Sequence, residues 1–164
     1  LEVVQSLVAL KEAADEEKLR EPAPLPPLPI KFYISTWGGD VHGMFAIYDL
    51  MRSMLTDCEI ETIGLGKVMS AGVLILAAGT KGKRKIGKNA RVMLHGLQAA
   101  HHGSLSSLEN EVAETRWIQE HMVTALAAET NLTRRRLQKI LDKKVDVYIG
   151  AEEAVELGIA DIII

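Results

Sequence analysis

The sequence has little of several residue types, and each shortage excludes a class of protein. Its single cysteine, Cys58, can form no internal disulfide, and there is no cysteine pair for a zinc site. The longest nearly uncharged apolar stretch, residues 68–80, is shorter than the roughly 20 residues of a membrane-spanning helix. The net charge of -3 provides no positive field for a nucleic-acid backbone. No secretion signal precedes the first helical pattern. We therefore expect a cytoplasmic protein with no membrane and no nucleic-acid partner.

The length and composition predict one compact globular domain with a short N-terminal extension. The chain has 164 residues, of which 48% are hydrophobic and 25% are charged, as in ordinary globular proteins. Residues 1–19 have the pattern of an amphipathic helix. All five prolines lie between residues 22 and 29, where their fixed φ angles favour an extended arm. We divide the chain into this helix and arm, residues 1–30, and a domain of residues 31–164.

Strand and helix patterns alternate through that domain. Strands are predicted at residues 31–35, 60–65, 91–95, 147–149 and 162–164. Helices are predicted after the glycines at 38–39, after residue 70 as far as residue 79, and at residues 106–130, 133–141 and 151–157. Ser106 and Glu109 are placed to form a capping box at the start of the longest helix. Because strands that alternate with helices favour parallel pairing, the sequence predicts an α/β fold around a parallel sheet.

Ser70 stands at a predicted junction between a strand and a helix. Ala71 and Gly72 follow it, and such small residues leave a hydroxyl approachable. Val68 occupies the position where the nucleophile elbow of α/β-hydrolases has glycine, so that motif is absent. Small residues around a serine are also typical of close packing. Ser70 alone therefore leaves a catalytic and a structural role open.

Two further residue types can complete a catalytic set with this serine. His95 ends an apolar strand, where it is a proton shuttle or a hydrogen-bonded residue at the edge of the core. Asp142 and Asp146 lie in the turn before the next strand, where either can orient an imidazole or cap the turn. The chain order of serine, histidine and aspartate excludes the folds of chymotrypsin, subtilisin and the α/β-hydrolases. No two histidines have the spacing of a metal site, so no metal is expected.

Two segments, one with paired glycines and one basic, each have a functional and a structural interpretation. The amides of Gly38 and Gly39 can bind an oxyanion, or the pair forms a tight turn between strand and helix. The basic segment of residues 81–88 has no interleaved aromatic residues, so we expect a solvated turn or helix face rather than a phosphate site.

Six ordered segments together resemble the family of Clp protease proteolytic subunits (ClpP). They are residues 34–39 (ISTWGG), 46–49 (AIYD), 69–72 (MSAG), 77–84 (AAGTKGKR), 93–95 (MLH) and 154–161 (AVELGIAD). The resemblance extends from about residue 31 to residue 164. Several motifs in the right order are more specific than any one of them.

The resemblance implies a crotonase-like fold of repeated β-β-α units, in which the helix of residues 106–130 is a protruding handle. It also implies a serine endopeptidase with a Ser-His-Asp triad. The catalytic residues would be Ser70, His95 and Asp146, with Asp142 as the alternative third member. The amides of Gly39 and Ala71 would form the oxyanion hole. The residues that hold an extended peptide as an added strand would be Gly38, Val41 and Leu97.

The same resemblance implies an assembly and its partners. Members of this family form two stacked rings of seven subunits, a tetradecamer, around a closed chamber. A separate AAA+ unfoldase, which alone hydrolyses ATP, threads unfolded polypeptides into the chamber. No cofactor belongs to the chain itself.

Several residues depart from the family pattern and support alternative functions. Trp37 stands where the family usually has proline, and Gly96 and Leu97 replace glutamine and proline after the histidine. Lys144 and Val145 replace an acidic residue and an arginine that form contacts between rings. These changes favour, as the alternative, an inactive or weakly active structural subunit that co-assembles with an active partner. A third hypothesis is a crotonase-type acyl-CoA enzyme, which shares the fold without requiring the triad.

Overall fold

The computed structural model describes residues 2–19 and 29–164, which form six helices and six strands. The helices are α1 Glu2–Lys18, α2 Val41–Met54, α3 Ala71–Ala77, α4 Leu105–Glu129, α5 Arg134–Leu141 and α6 Ala151–Glu156. The strands are β1 Ile30–Thr36, β2 Ile60–Met69, β3 Lys85–Ile86, β4 Arg91–Leu94, β5 Val147–Ile149 and β6 Ile162–Ile163. Most of the predicted proline-rich arm, residues 20–28, lies outside the described residues. Within the described ranges no helix is long and apolar enough to cross a membrane.

Strand β2 is the centre of a single six-stranded sheet. Five strands, β2 included, follow the order β5-β4-β2-β3-β6, and β1 also pairs with β2. The first half of β2 pairs with β3, and its last three residues pair with β4. All of these pairs and β3 with β6 are parallel, but β5 is antiparallel to β4. The predicted parallel sheet therefore has one antiparallel pair, at this edge. Val147, the first residue of β5, pairs with Leu94, the last residue of β4. The chain between them therefore leaves and re-enters the sheet at the same edge.

Helix α3 packs against the sheet and forms the middle of the core. Every residue of α3 is buried, as its uniformly apolar sequence predicts. A Cβ atom at Gly72 would lie 2.4 Å from Cγ2 of Thr36, so only glycine allows this close approach of α3 to β1. Leu7 of α1 is also buried in the same core. The packing fixes the N-terminal end of α3, where Ser70 lies.

The start of α4 differs from the predicted capping box. Ser104 is the N-cap, and its hydroxyl oxygen accepts a hydrogen bond from the N–H of Ser107 at 3.3 Å. The prediction of Ser106 and Glu109 as the cap is wrong, because Ser106 already lies inside the helix. Ser104 has the extended backbone that an N-cap needs. The loop between β4 and α4 therefore ends two residues earlier than predicted.

Arg84 contradicts the prediction that the basic segment is solvated. It is 4% exposed, and its guanidinium donates to Asp161 at 2.8 and 2.5 Å and to the carbonyl oxygen of Glu129 at 2.7 Å. Burial alone would raise the pKa of Asp161. Hydrogen bonds from the side chain and backbone of Arg84 outweigh burial and hold this pKa below its usual value. The two-residue strand β3 follows at once, inside the segment that was expected to be a turn.

The carboxylate of Glu129 joins the end of α4 to α2. Its side chain is only 4% exposed and forms ion pairs with Arg52 at 2.9 Å and Lys81 at 3.3 Å. The hydroxyl of Tyr48 donates to the same carboxylate at 2.9 Å. Burial, together with the hydrogen bond to Glu129 and its charge, raises the pKa of Tyr48 to about 12. This paired, buried charge fixes the C-terminal end of α4 on the core.

Candidate active site

Ser70 occupies the corner between β2 and α3. The two strands β2 and β4 run side by side, and the N–H of Ser70 donates to the carbonyl oxygen of Met93 at 2.8 Å. Parallel neighbours end at the same edge of a sheet. The serine that follows β2 is therefore beside His95, the residue that follows β4.

The side chains of these two residues form the closest contact of the site. Oγ of Ser70 lies 2.8 Å from Nε2 of His95. Ser70 is half-buried, and the side chain of His95 is 21% exposed. The distance is within the range in which an imidazole takes a proton from a hydroxyl.

The other ring nitrogen of His95 has two neighbours at longer distances. Nδ1 lies 3.8 Å from Oδ1 of Asp146 and 3.5 Å from Nε2 of Gln98. The side chain of Asp146 is 46% exposed. Asp142 caps α5, and its carboxylate lies 3.4 Å from Nε2 of Gln138 instead. The structure therefore brings Asp146, rather than Asp142, to the imidazole.

Backbone strain is concentrated around this set of residues. Among the described residues, Ser70 and Lys144 are the only ones other than glycine with positive φ, at 53° and 54°. Such conformations are costly for residues with a Cβ atom, and they occur preferentially at functional sites. Ser70 is the candidate nucleophile, and Lys144 lies in the turn that carries Asp146. Ser70 precedes α3 as its N-cap, and its hydroxyl makes no capping hydrogen bond to the helix.

The hydroxyl and the imidazole face a cleft of about 260 Å³. Of the residues expected to bind substrate or an oxyanion, Gly39, Ala71, Val41 and Leu97 all line this cleft. Within the described chain, the N–H of Gly39 makes no hydrogen bond. The N–H of Ala71 belongs to the first turn of α3, where no helical carbonyl precedes it. Both amides are thus free to donate to a ligand.

Gly38 lies directly beneath Ser70 rather than on the wall of the cleft. Its φ is +106°, and a Cβ atom built there would be 2.7 Å from Cβ of Ser70 and 3.0 Å from the carbonyl oxygen of Met69. Its N–H donates to Oγ1 of Thr36 at 3.1 Å. Gly38 also lines a neighbouring apolar cavity of about 360 Å³. Glycine at this position allows the turn and leaves room for the serine.

Trp37 forms the rim of the cleft and is 71% exposed. The Nζ atom of Lys67 lies 4.8 Å from the centre of its ring, a cation–π arrangement. Tryptophan in place of the family's usual proline therefore gives the cleft a bulky wall. It stands beside Gly39 at the mouth of the cleft.

Several residues of the site were missed in the sequence. Gln98 beside His95 had one signal, since it is a polar residue three positions later in the same loop. The three methionines of the cleft wall, Met44, Met93 and Met122, have the patterns of ordinary core residues. No pattern distinguishes them before the fold is known.

The set of residues has the parts needed for acyl transfer without a metal-binding cluster. The hydroxyl of Ser70 lies next to an imidazole, and two free amides line the same cleft. Among residues 2–19 and 29–164, no group of three or more histidine, cysteine, aspartate or glutamate side chains is placed to hold a metal ion.

Comparisons with known proteins identify the family. The model of the Clp protease family matches residues 2–164. The chain is 39% identical to ATP-dependent Clp protease proteolytic subunit 1 of Mycolicibacterium paratuberculosis, over 82% of this chain and 63% of that protein. It is 33% identical to proteolytic subunit 2 of Chlamydia trachomatis, over 82% of this chain and 64% of that protein. The chain thus spans less than two thirds of the length of these curated relatives. The predicted resemblance is confirmed: the chain belongs to the ClpP family of the Clp proteases, which are serine peptidases, and has the family's crotonase-like fold.

Proposed function

We propose that this chain is a serine endopeptidase subunit that hydrolyses unfolded polypeptides to short peptides. The observation that carries the proposal is the 2.8 Å contact between Oγ of Ser70 and Nε2 of His95 at a strained corner beside the cleft. Membership of a family of serine peptidases supports the same chemistry. In this proposal Ser70, His95 and Asp146 are the catalytic triad.

The first half of the reaction follows from these positions. Oγ of Ser70 attacks the carbonyl carbon of the peptide bond while Nε2 of His95 takes the hydroxyl proton. Asp146 accepts from the Nδ1–H of His95, which fixes the tautomer with a free Nε2 and stabilises the imidazolium. His95 then gives the proton to the leaving amine, and an acyl-enzyme remains.

The oxyanion and the second half of the reaction use the same groups. The N–H groups of Gly39 and Ala71 stabilise the negative oxygen of the tetrahedral intermediate. Water attacks the acyl-enzyme with His95 as the base, and the tetrahedral intermediate collapses to release the second product and restore Ser70. Removing one such amide donor from a serine hydrolase costs roughly 10²–10³-fold in kcat.

The cleft selects an extended chain with an apolar side chain near the scissile bond. Its walls carry three methionines, and methionine adapts to side chains of different shape. Val41 and Leu97 border the cleft and would hold the substrate backbone as an added strand. Folded proteins do not offer such strands, so the substrate is an unfolded polypeptide.

We infer an assembly of two stacked rings of seven subunits that works with an AAA+ unfoldase in the cytoplasm. The relatives named above are called ATP-dependent proteolytic subunits. The protruding helix α4 exposes large apolar side chains of the kind that subunit contacts bury. They are Leu105, Val112 and Trp117. Light scattering should give a mass of about 14 times 18.0 kDa for the assembled protein.

A fluorophosphonate probe and a fluorogenic peptide test the proposed chemistry. We expect the probe to label Ser70 and the peptide to be cleaved, and Ser70→Ala to abolish both. Ser53→Ala is the matched control, because within the described residues its exposed hydroxyl bonds only to the carbonyl oxygen of Leu50, in the same helix. If the assembled protein is neither labelled nor active, or if Ser70→Ala retains activity, the proposal is wrong.

A second candidate function is an inactive or weakly active subunit that co-assembles with an active partner. The observation that favours it is the 3.8 Å separation of Nδ1 of His95 from the half-exposed Asp146. Mixing the chain with an active Clp proteolytic subunit and measuring mass and activity separates the two functions. Active rings made of this chain alone would exclude the second.

A further inference from the structure

A second histidine joins the loop of residues 95–104 to helix α4. Nδ1 of His101 lies 2.5 Å from Oε2 of Glu111, and its Nε2 lies 3.1 Å from Oγ1 of Thr115. Glu111 and Thr115 are one turn apart on α4, so the ring bridges two consecutive turns of the helix. In the described chain no other charged side chain forms an ion pair with His101.

The hydrogen-bond directions require a proton on both ring nitrogens. The hydroxyl of Thr115 donates its single hydrogen to the carbonyl oxygen of Glu111 at 2.8 Å. Its oxygen therefore accepts from Nε2–H of His101. The exposed carboxylate of Glu111 is an acceptor when ionised, so it accepts from Nδ1–H. A ring with two donors is an imidazolium, which pairs with the negative charge of Glu111.

The loop that His101 holds is a wall of the cleft. Gly96, Leu97 and Gln98 line it, and Gln98 also reaches Nδ1 of His95. Nearer its start, the loop is also held to α4 by the N–H of Leu97, which donates to Oε1 of Gln119 at 3.2 Å. The chain is thus fixed to the helix on both sides of Gln98.

We propose that His101 is a positioning residue whose protonated ring, paired with Glu111, fastens this loop to α4 and so holds the substrate-binding wall of the cleft. Its effect on cleavage rests on the proposed function, whereas the contact itself does not. The two contacts hold one ring against two turns of α4, and loss of either would free the loop at this point. The wall is therefore better ordered while both contacts are made.

The ring protonation can be measured without any enzymatic activity. In the assembled full chain labelled with ¹⁵N-histidine, we expect His101 to show two protonated ring nitrogens at about pH 6. The resonance is assigned by its loss in His101→Gln. In Glu111→Gln, hydrogen exchange of residues 96–103 should be faster than in the wild type at the same pH. His102→Gln is the matched control, because its exposed neighbouring ring makes no such bridge.

Peptide cleavage provides the second measurement. We expect KM of Glu111→Gln and of His101→Gln to be roughly two- to fivefold higher than that of the wild type, the size expected for loss of one partly exposed ion pair. In both variants kcat should be little changed. Separate behaviour of KM and kcat distinguishes His101 from the general base His95.

Two results would overturn the proposal. One is a spectrum in which either ring nitrogen of His101 is unprotonated at about pH 6. The other is unchanged exchange of the loop in Glu111→Gln. If the chain cleaves no peptide at all, the proposed function fails, while the spectrum and the exchange measurement still decide the role of His101.

Discussion

Replacing Gly38 with alanine tests how the nucleophile is positioned. The added Cβ atom would lie 2.7 Å from Cβ of Ser70 and 3.0 Å from the carbonyl oxygen of Met69. Neither neighbour is the end of a flexible side chain, since one is a Cβ atom and the other is backbone. Gly38 also has φ of +106°, which alanine rarely adopts. The substitution therefore combines backbone strain with a clash at Ser70, the proposed nucleophile.

The expected loss in the free energy of unfolding is the sum of two contributions, the backbone strain and the clash. Unfavourable backbone conformation costs about 1–3 kcal/mol. Forcing an extra methyl group into a packed site costs about 1–3 kcal/mol more. Gly82→Ala separates them, because Gly82 has φ of +83° but no atom within 4 Å of the added Cβ. We expect the free energy of unfolding to fall by about 1–3 kcal/mol in Gly82→Ala, from backbone strain alone. In Gly38→Ala it should fall by about 2–6 kcal/mol, from strain and clash together.

The two variants are compared by urea unfolding at one protein concentration and by the rate of fluorophosphonate labelling. Displacement of Ser70 by a few tenths of an ångström lengthens its 2.8 Å contact with His95, so labelling of Gly38→Ala should fall at least about tenfold. Labelling of Gly82→Ala should be unchanged. Equal stability of the two variants, with equal labelling rates, would refute this account of Gly38.

Three further predictions concern carboxylates. Asp146→Ala should lower kcat/KM for peptide cleavage at least about 100-fold and Asp142→Ala less than about twofold; equal losses would exclude Asp146 as the third triad member. Glu129→Gln should lower the free energy of unfolding in urea by about 2–3 kcal/mol, because it leaves Arg52 without its anion. A loss below about 0.5 kcal/mol would contradict this. Asp161, whose pKa is lowered on folding, stabilises the protein above its unfolded pKa of about 3.9, and this contribution is lost as pH falls through its folded pKa. Asp161→Asn should therefore lose less stability than the wild type on acidification below about pH 4; an identical acid titration would contradict it.

The helices and the longer strands were predictable because their patterns are local. Helix α3 was predicted from its continuous apolar run, and α2 was predicted to follow the glycines at 38–39. The strand β3 has only two residues, Lys85 and Ile86, which is too short for an alternating pattern. Its pairing depends on β2 and β6, which are far away in the sequence. Such an element cannot be recognised before its neighbours are placed.

The site was predictable as a set of residue types but not as a set of distances. The sequence placed Ser70 and His95 at the ends of strands, and adjacent parallel strands then bring them together. It left Asp142 and Asp146 open, because the choice depends on the direction of β5 and on the turn before it. The burial of Arg84 was missed for a related reason. Its partner Asp161 is distant in the sequence, so the segment had only the composition of a solvated turn.

The fold holds the three proposed catalytic residues with unequal firmness, so a contact elsewhere on the protein would move one of them more easily than the other two. Ser70 and His95 follow central strands and are fixed by backbone pairing within the core. Asp146 lies in a half-exposed turn before an edge strand, where Lys144 has φ of 54°. Moving this turn by about 1 Å would bring the carboxylate within hydrogen-bond distance of Nδ1 without any change in the sheet. For the proposed triad, a contact on the turn of residues 142–146 would therefore be enough to bring Asp146 to the imidazole, while Ser70 and His95 remain in place.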